Sequence, residues 1–240
     1  MGTAERRADW PPALSTTGAD AVRELLLAHA LPGAVFGVFC GLKCVLTAEA
    51  AARLLGAGGL PAAIGPALHL AEQALGLVYF ALLAFVCLTR LPRRAGRRSP
   101  GTVALAMFAS FAIMLVGVLP DRQPRPQLEV LAGVLLAAGL AYSVWALSCL
   151  NRSFSILPEA RRLVTAGPFG LSRHPLYLGE GLATLGLLIH TAGPTAVALG
   201  AAVGVAQLVR IRWEEGVLSA EFPEYLDYSR RVPRYLPFLG

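Results

Sequence analysis

The chain has 240 residues, 55% of them hydrophobic and only 15% charged, with a mean hydropathy of +0.59, whereas soluble domains carry about a quarter charged residues. This composition excludes an ordinary soluble domain and points to one membrane domain of roughly four to six spans at about 20 residues per crossing. The net charge of +6 implies no nucleic-acid partner, because every cationic residue except Lys43 is Arg and most lie beside apolar runs, as topology requires.

Residues 1–24 form a polar N-terminal segment with Arg6, Arg7, Pro11 and Pro12 but no apolar core, so they do not read as a signal peptide. Gly2 is a poor myristoylation site, since Arg6 stands where Ser or Thr is wanted. Residues 25–150 hold four transmembrane helices. The first apolar run is placed either at Leu25–Leu46 or at Leu31–Leu55, with Lys43 and Glu49 inside or beside it. The second, Ala67–Leu88, ends in an Arg- and Pro-rich stretch, and the third, Gly101–Leu119, ends in PDRQPRPQ, where prolines stop helices. The fourth is Leu128–Leu150.

Asn151–His174 is polar, carries Pro and Gly, and belongs at the surface. Leu176–Ile189 and Ala196–Val209 are each too short for a full crossing and read as a helical hairpin turned by Gly193 and Pro194. From Arg210 the chain becomes charged and amphipathic, with Trp and Tyr of the interfacial kind. Together these readings give an all-α, polytopic bundle: four full spans plus a C-terminal hairpin, with 151–240 as a C-terminal cofactor-binding region. Arg groups before the first span, between the second and third, after the fourth and in the tail fall on one side, which predicts that both termini are cytoplasmic. The composition suits a bacterial inner membrane.

His69, Glu72 and Gln73 share about one turn near the outer end of the second run, and His190 sits at the hairpin tip; boundary positions account for them. Lys43 and Glu49 are odder, since ionisable groups in hydrocarbon line cavities, pair or snorkel. Cys40, Cys44, Cys87 and Cys149 all lie in apolar runs without metal-ligand spacing, so no metal is expected.

The stretch Leu163–Leu182, LVTAGPFGLSRHPLYLGEGL, carries the most chemistry. Thr165 to Pro168 offers a hydroxyl and a bend with free backbone groups. Arg173, His174, Pro175 and Tyr177 place a cation, an imidazole and a phenol at a helix mouth, where Pro175 costs no hydrogen bond and the helix N-terminus favours an anionic ligand group. The second stretch is Arg210–Glu215, RIRWEE. Its adjacent carboxylates face different sides of a helix, so one can meet a cationic ligand group while the other pairs with Arg. S-adenosylmethionine carries such groups, an ammonium and a sulfonium, and Glu214 or Glu215 suits the ammonium.

GPFGLSRHPLYLG followed by RIRWEEGVLSAEFPEYLDYSRRVPRYLPF resembles the isoprenylcysteine carboxyl methyltransferase family and the related phospholipid methyltransferases, over about Arg152 to Phe238. The combination of RHPxYxG, an Arg-x-x-Glu-Glu and the terminal pattern is specific; RHP alone is weak. The resemblance implies that Thr165, Gly167, Pro168, His174, Pro175, Tyr177 and Leu178 line an S-adenosylmethionine pocket closed by Glu214 and Glu215 on the cytoplasmic side. It implies Arg212 and Glu214 as catalytic residues, with Arg212 orienting the acceptor, and a lipophilic or lipid-modified acceptor approaching from membrane lipid. Methyl transfer to such an acceptor, whether carboxylate, amine or thiol, depends chiefly on positioning and desolvation.

Two other readings compete. Membrane sterol and steroid reductases carry a similar HPxYxGE segment, which Glu180 fits, and Arg161, Arg162 and Arg173 offer cations for the 2′-phosphate of NADPH. A non-enzymatic membrane protein is the third.

Overall fold

A computed structural model describes residues 31–91, 94–97, 99–119, 125–191 and 193–235; the polar N-terminal segment lies outside them. The described helices are α1 (Leu31–Leu55), α2 (Leu60–Thr89), α3 (Pro100–Phe111), α4 (Glu129–Leu150), α5 (Pro175–Thr191), α6 (Pro194–Glu221) and α7 (Tyr225–Arg231). A two-residue antiparallel ladder pairs β1 (Ala95–Gly96) with β2 (Glu159–Ala160), matching Ala95 to Ala160 and Gly96 to Glu159.

Proline opens α3, α5 and α6 at the first helical position, where its missing N–H has no partner to lose. Ser99 caps α3 by accepting from the Thr102 N–H at 3.2 Å. Among the described residues, four helices are long and apolar enough to cross a membrane: α1, α2, α4 with its flanking turns, and α6. The protein is an integral membrane protein, and only 11% of the apolar window of α1 is buried within the fold.

The set of four differs from expectation in two places. The run Gly101–Leu119 does not form one long α-helix: α3 ends at Phe111 and the chain tightens into a 3₁₀ segment, Ala112–Val118. Conversely, α6 does not stop at Val209. It continues through the charged stretch to Glu221, 28 residues in all, which at 1.5 Å per residue is long enough to cross. Charge suggested a helix end, but Arg210 and Ile211 are both buried by neighbouring elements, so tertiary partners carry the helix onward. The first span takes the later of its two expected positions, which leaves Lys43 and Glu49 within α1.

Helix α1 packs on α2, α2 on α4 and α4 on α5, while α3 and the ladder pack on α6. The α4–α5 contact rests on small residues. A Cβ on Gly186 would lie 2.6 Å from the Leu136 nitrogen, and one on Gly139 would overlap the Ala183 backbone. Such close backbone approach is how helices associate where no hydrophobic force separates lipid from side chain. It brings the N-terminal end of α5 beside the C-terminal ends of α2 and α4, where the site forms.

Candidate functional site

The segment between α4 and α5 is fastened to the C-terminal tail. Arg173 donates its N–H to the Pro233 carbonyl at 2.9 Å and Nη1 to the Ser229 carbonyl at 2.8 Å. Ser172 Oγ donates to the Arg234 carbonyl at 3.1 Å and in turn accepts from the His174 N–H at 3.1 Å. The Tyr228 hydroxyl donates to the Phe169 carbonyl at 2.7 Å, and burial pushes its phenol up to about 12.

Glu215 is the knot of this clamp. Arg234 reaches both of its oxygens, Nη2 to Oε2 at 2.6 Å and Nε to Oε1 at 3.2 Å. His174 Nε2 and Arg173 Nε stand 3.2 and 3.3 Å from Oε1. Hydrogen bonding to Glu215 raises the Arg234 pKa.

Glu214, its neighbour in sequence, points elsewhere. It lines a cavity of about 80 Å³ enclosed by α1, α2, the α3 region, the segment after α4, α5 and α6, and accepts from the Tyr177 hydroxyl at 2.8 Å. Phe36, Phe80, Phe154 and Phe169 supply aromatic wall, and Tyr79, Glu180 and Arg210 are among its polar groups. The Tyr79 hydroxyl donates to Glu180 Oε1 at 2.6 Å, and Gln207 Nε2 donates to Glu180 Oε2 at 3.0 Å. Buried Arg210 donates Nη1 to Gln207 Oε1 at 2.9 Å and to Ser110 Oγ at 3.3 Å, and Nη2 to the Ile156 carbonyl at 2.7 Å. Its guanidinium carbon lies 5.3 Å from the Tyr177 ring centroid, within cation–π range.

Of the residues singled out in the sequence for the helix mouth and the pocket, Arg173, His174, Tyr177 and Glu214 line this cavity. Pro168 and Pro175 are buried around it, the latter as the first residue of α5, and Leu178 is half-buried. Thr165 is exposed. Gly167 is also exposed and has φ of 63°, and a Cβ there would meet Cys149 Sγ at 2.8 Å, so its task is a tight turn. Arg212 is exposed and outside the lining. Residues two apart on a helix do not share a face, and the face that looks into the cavity carries Arg210 and Glu214 instead. Glu180 and Arg210 were legible in principle, since Tyr177 with Glu180 and Arg210 with Glu214 follow helical spacing. Tyr79 and Phe36 carry no such signal within generic apolar runs.

What the arrangement offers is a buried chamber with two carboxylates, an aromatic wall and a helix N-terminus beside it. Residues 128–224 match the profile of the phospholipid methyltransferase family. Among curated proteins, the cobalt-zinc-cadmium resistance protein CzcN of Cupriavidus metallidurans is 40% identical over 80 residues, 32% of this chain and 37% of that protein. Protein-S-isoprenylcysteine O-methyltransferase B of Arabidopsis thaliana is 34% identical over 97 residues, 38% of this chain and 49% of its own length. Phosphatidyl-N-methylethanolamine N-methyltransferase of Saccharomyces cerevisiae is 36% identical over 66 residues, 28% of this chain and 31% of that enzyme. The chain thus spans less than half the length of each of these relatives. The segment from α4 to the end of α6 thus matches the phospholipid methyltransferase family model, in the part of the chain that carries the C-terminal motifs.

Proposed function

We propose that the protein is a membrane-embedded, S-adenosylmethionine-dependent methyltransferase acting on a lipid-like or prenylated acceptor. The observation that carries this reading is Glu214: a carboxylate on the cavity wall, within the segment that matches the family model, which accepts a hydrogen bond from the neutral Tyr177 hydroxyl. It suits the cofactor's ammonium, whereas Glu215 already faces Arg173, His174 and Arg234. The Nε of Arg210, buried without a hydrogen-bond partner among the described residues, adds a donor beside the same chamber. Phe154 and Phe169 suit a planar base. Bound there, the cofactor would supply an electrophilic methyl on a sulfonium, whose leaving group is neutral.

In this reading residues 151–240 are the cofactor-binding part and 25–150 the membrane-spanning frame. Glu215 and His174 hold the loop and tail closed over the chamber, and Arg210 takes the cavity-side place that Arg212 lacks. Orientation follows from the Arg distribution, with both termini and the clamp on the cytoplasmic face of a bacterial inner membrane. Positioning and exclusion of water are the protein's main contributions to the reaction.

NADPH suits the site less well. Arg161 donates to Glu159 at 2.7 Å and Arg173 is engaged by Glu215 and Ser229, so of the three arginines only Arg162 is exposed. The name of CzcN raises metal tolerance as a cellular setting. Among the described residues no group of three His, Cys, Asp or Glu is placed to hold a metal ion.

The test is isothermal titration of the detergent-purified protein with S-adenosylhomocysteine and, separately, with NADPH, on the wild type and Glu214→Gln. The homocysteine compound should bind and lose about tenfold in affinity in the variant, the scale of one hydrogen bond to a charged group. Binding of NADPH alone would replace this reading with the reductase.

A further inference from the structure

The cavity holds a second carboxylate that cofactor binding leaves without a task. Glu180 accepts on both oxygens, from Tyr79 and from Gln207, so a donor holds it from each side. Among the described residues, no cation lies within salt-bridge distance of Glu180 or of Glu214, since Arg210 directs its Nη groups at Gln207, Ser110 and the Ile156 carbonyl. Arg173, the other arginine of the lining, faces Glu215. With that pair set aside, one cation, Arg210, stands beside two carboxyl groups, Glu180 and Glu214, in the lining of the chamber.

The two carboxylates also stand at different depths. Gln207, which holds Glu180, precedes Glu214 by seven residues on α6, about 10 Å along the axis. Glu214 is therefore near the loop and tail that Glu215 ties together, and Glu180 lies farther into the bundle, against Tyr79 of α2. Phe36 and Phe80, in the same lining, stack with ring centroids 6.3 Å apart. An apolar wall with one clamped acid is the chemistry of a site for the polar end of a lipophilic molecule.

We propose that Glu180, clamped by Tyr79 and Gln207, is the specificity-determining residue at the acceptor end of the cavity, admitting an N–H-bearing group on an apolar body and excluding a carboxylate. This rests on the methyltransferase reading and narrows its acceptor. A carboxylate brought beside Glu180 meets a like charge in a poorly solvated place, which is discrimination by repulsion. An amine donates its N–H to Glu180 instead. For the ammonium form to react, one proton first passes to the Glu180 carboxylate; the freed nitrogen lone pair then forms the new N–C bond as the S–C pair returns to sulfur, and the positive charge moves from sulfur to nitrogen.

The experiment is isothermal titration of the full chain in one detergent with dodecylamine and with dodecanoate, with S-adenosylhomocysteine present. Wild type, Glu180→Gln and Tyr79→Phe are compared in identical micelles so that partition into detergent cancels. Wild type should prefer the amine by at least about tenfold. Glu180→Gln should abolish the preference without changing affinity for the homocysteine compound, and Tyr79→Phe, which keeps the ring and frees one oxygen of Glu180, should reduce it. Equal affinities in the wild type, a preference that survives Glu180→Gln, or binding of neither probe would each overturn the proposal. So would a loss in Glu180→Gln of affinity for S-adenosylmethionine but not for S-adenosylhomocysteine, which would put Glu180 at the sulfonium. Failure of the homocysteine compound to bind wild type would instead overturn the methyltransferase reading, with the amine preference still measured on its own.

Discussion

Lys43, Glu72 and Gln73 in the first half of the chain, and Glu180, Gln207 and Arg210 in the second, are both polar clusters inside apolar helices, yet only the second reaches the cavity, through Glu180 and Arg210. In the first, Lys43 Nζ donates to Gln73 Oε1 at 2.7 Å and His69 Nδ1 stands 3.6 Å from Glu72 Oε2. Glycine on the facing helix closes the space around these charges: a Cβ on Gly76 would lie 3.1 Å from Lys43 Cε, and one on Gly133 would lie 2.9 Å from Glu72 Oε1. The second cluster has no such filling and keeps carboxylate capacity facing a chamber. Ionisable groups within a membrane protein are thus a pointer to function chiefly where packing leaves them something to bind.

The comparison is broken most severely at Arg210. Replacing it with Met removes every hydrogen bond that α6 makes through this side chain and leaves Gln207 and the Ile156 carbonyl short of a donor. We expect about 3 kcal/mol of destabilisation, read as a lower thermal unfolding midpoint in detergent, together with loss of S-adenosylhomocysteine binding. An unchanged midpoint would show that the network does not hold α6 in place.

Glu215→Gln should act next in size and more locally. It strips the charge that Arg173, His174 and Arg234 share, and the cost is about 2 kcal/mol, felt where the loop meets the tail. Limited proteolysis should then cut within 163–175 or after Phe222 faster than in the wild type, while the core helices keep their hydrogen-exchange protection. Cutting at the wild-type rate would mean that the backbone contacts of Ser172 and Arg173 suffice.

Lys43→Met is the smallest. Lys43 is only half-buried and its hydrogen-bond partner Gln73 is neutral, so losing that bond should move the midpoint by the equivalent of about 1 kcal/mol and homocysteine-compound binding should not change. Weakened binding in this variant would show that the far cluster is coupled to the cavity after all.

Much of the fold was legible because it is set by solvent. A chain this apolar must pair its backbone within helices, and runs of Leu, Val and Ala between prolines and arginines mark where they lie. The exceptions are instructive. The 3₁₀ turn after Phe111 leaves no trace in composition, and the extension of α6 past Val209 depends on partners for Arg210 and Ile211 that lie far away in sequence. At the site, the motif segments carry His174, Tyr177 and Glu214 onto the cavity wall, since local spacing brings them to one end of two adjacent helices. The choice of Arg210 over Arg212 was not local: it depends on which face of α6 meets Ser110 and Ile156.

By itself, then, the sequence determined that this is a helical membrane protein whose last third holds a methyltransferase-type motif, because hydropathy and short-range spacing are properties of neighbouring residues. Only the tertiary structure decided that Glu214 serves a cavity while Glu215 serves a clamp, and that Tyr79 from the second helix completes the setting of Glu180. Adjacent side chains on a helix point to different surroundings, and those surroundings come from segments up to a hundred residues distant.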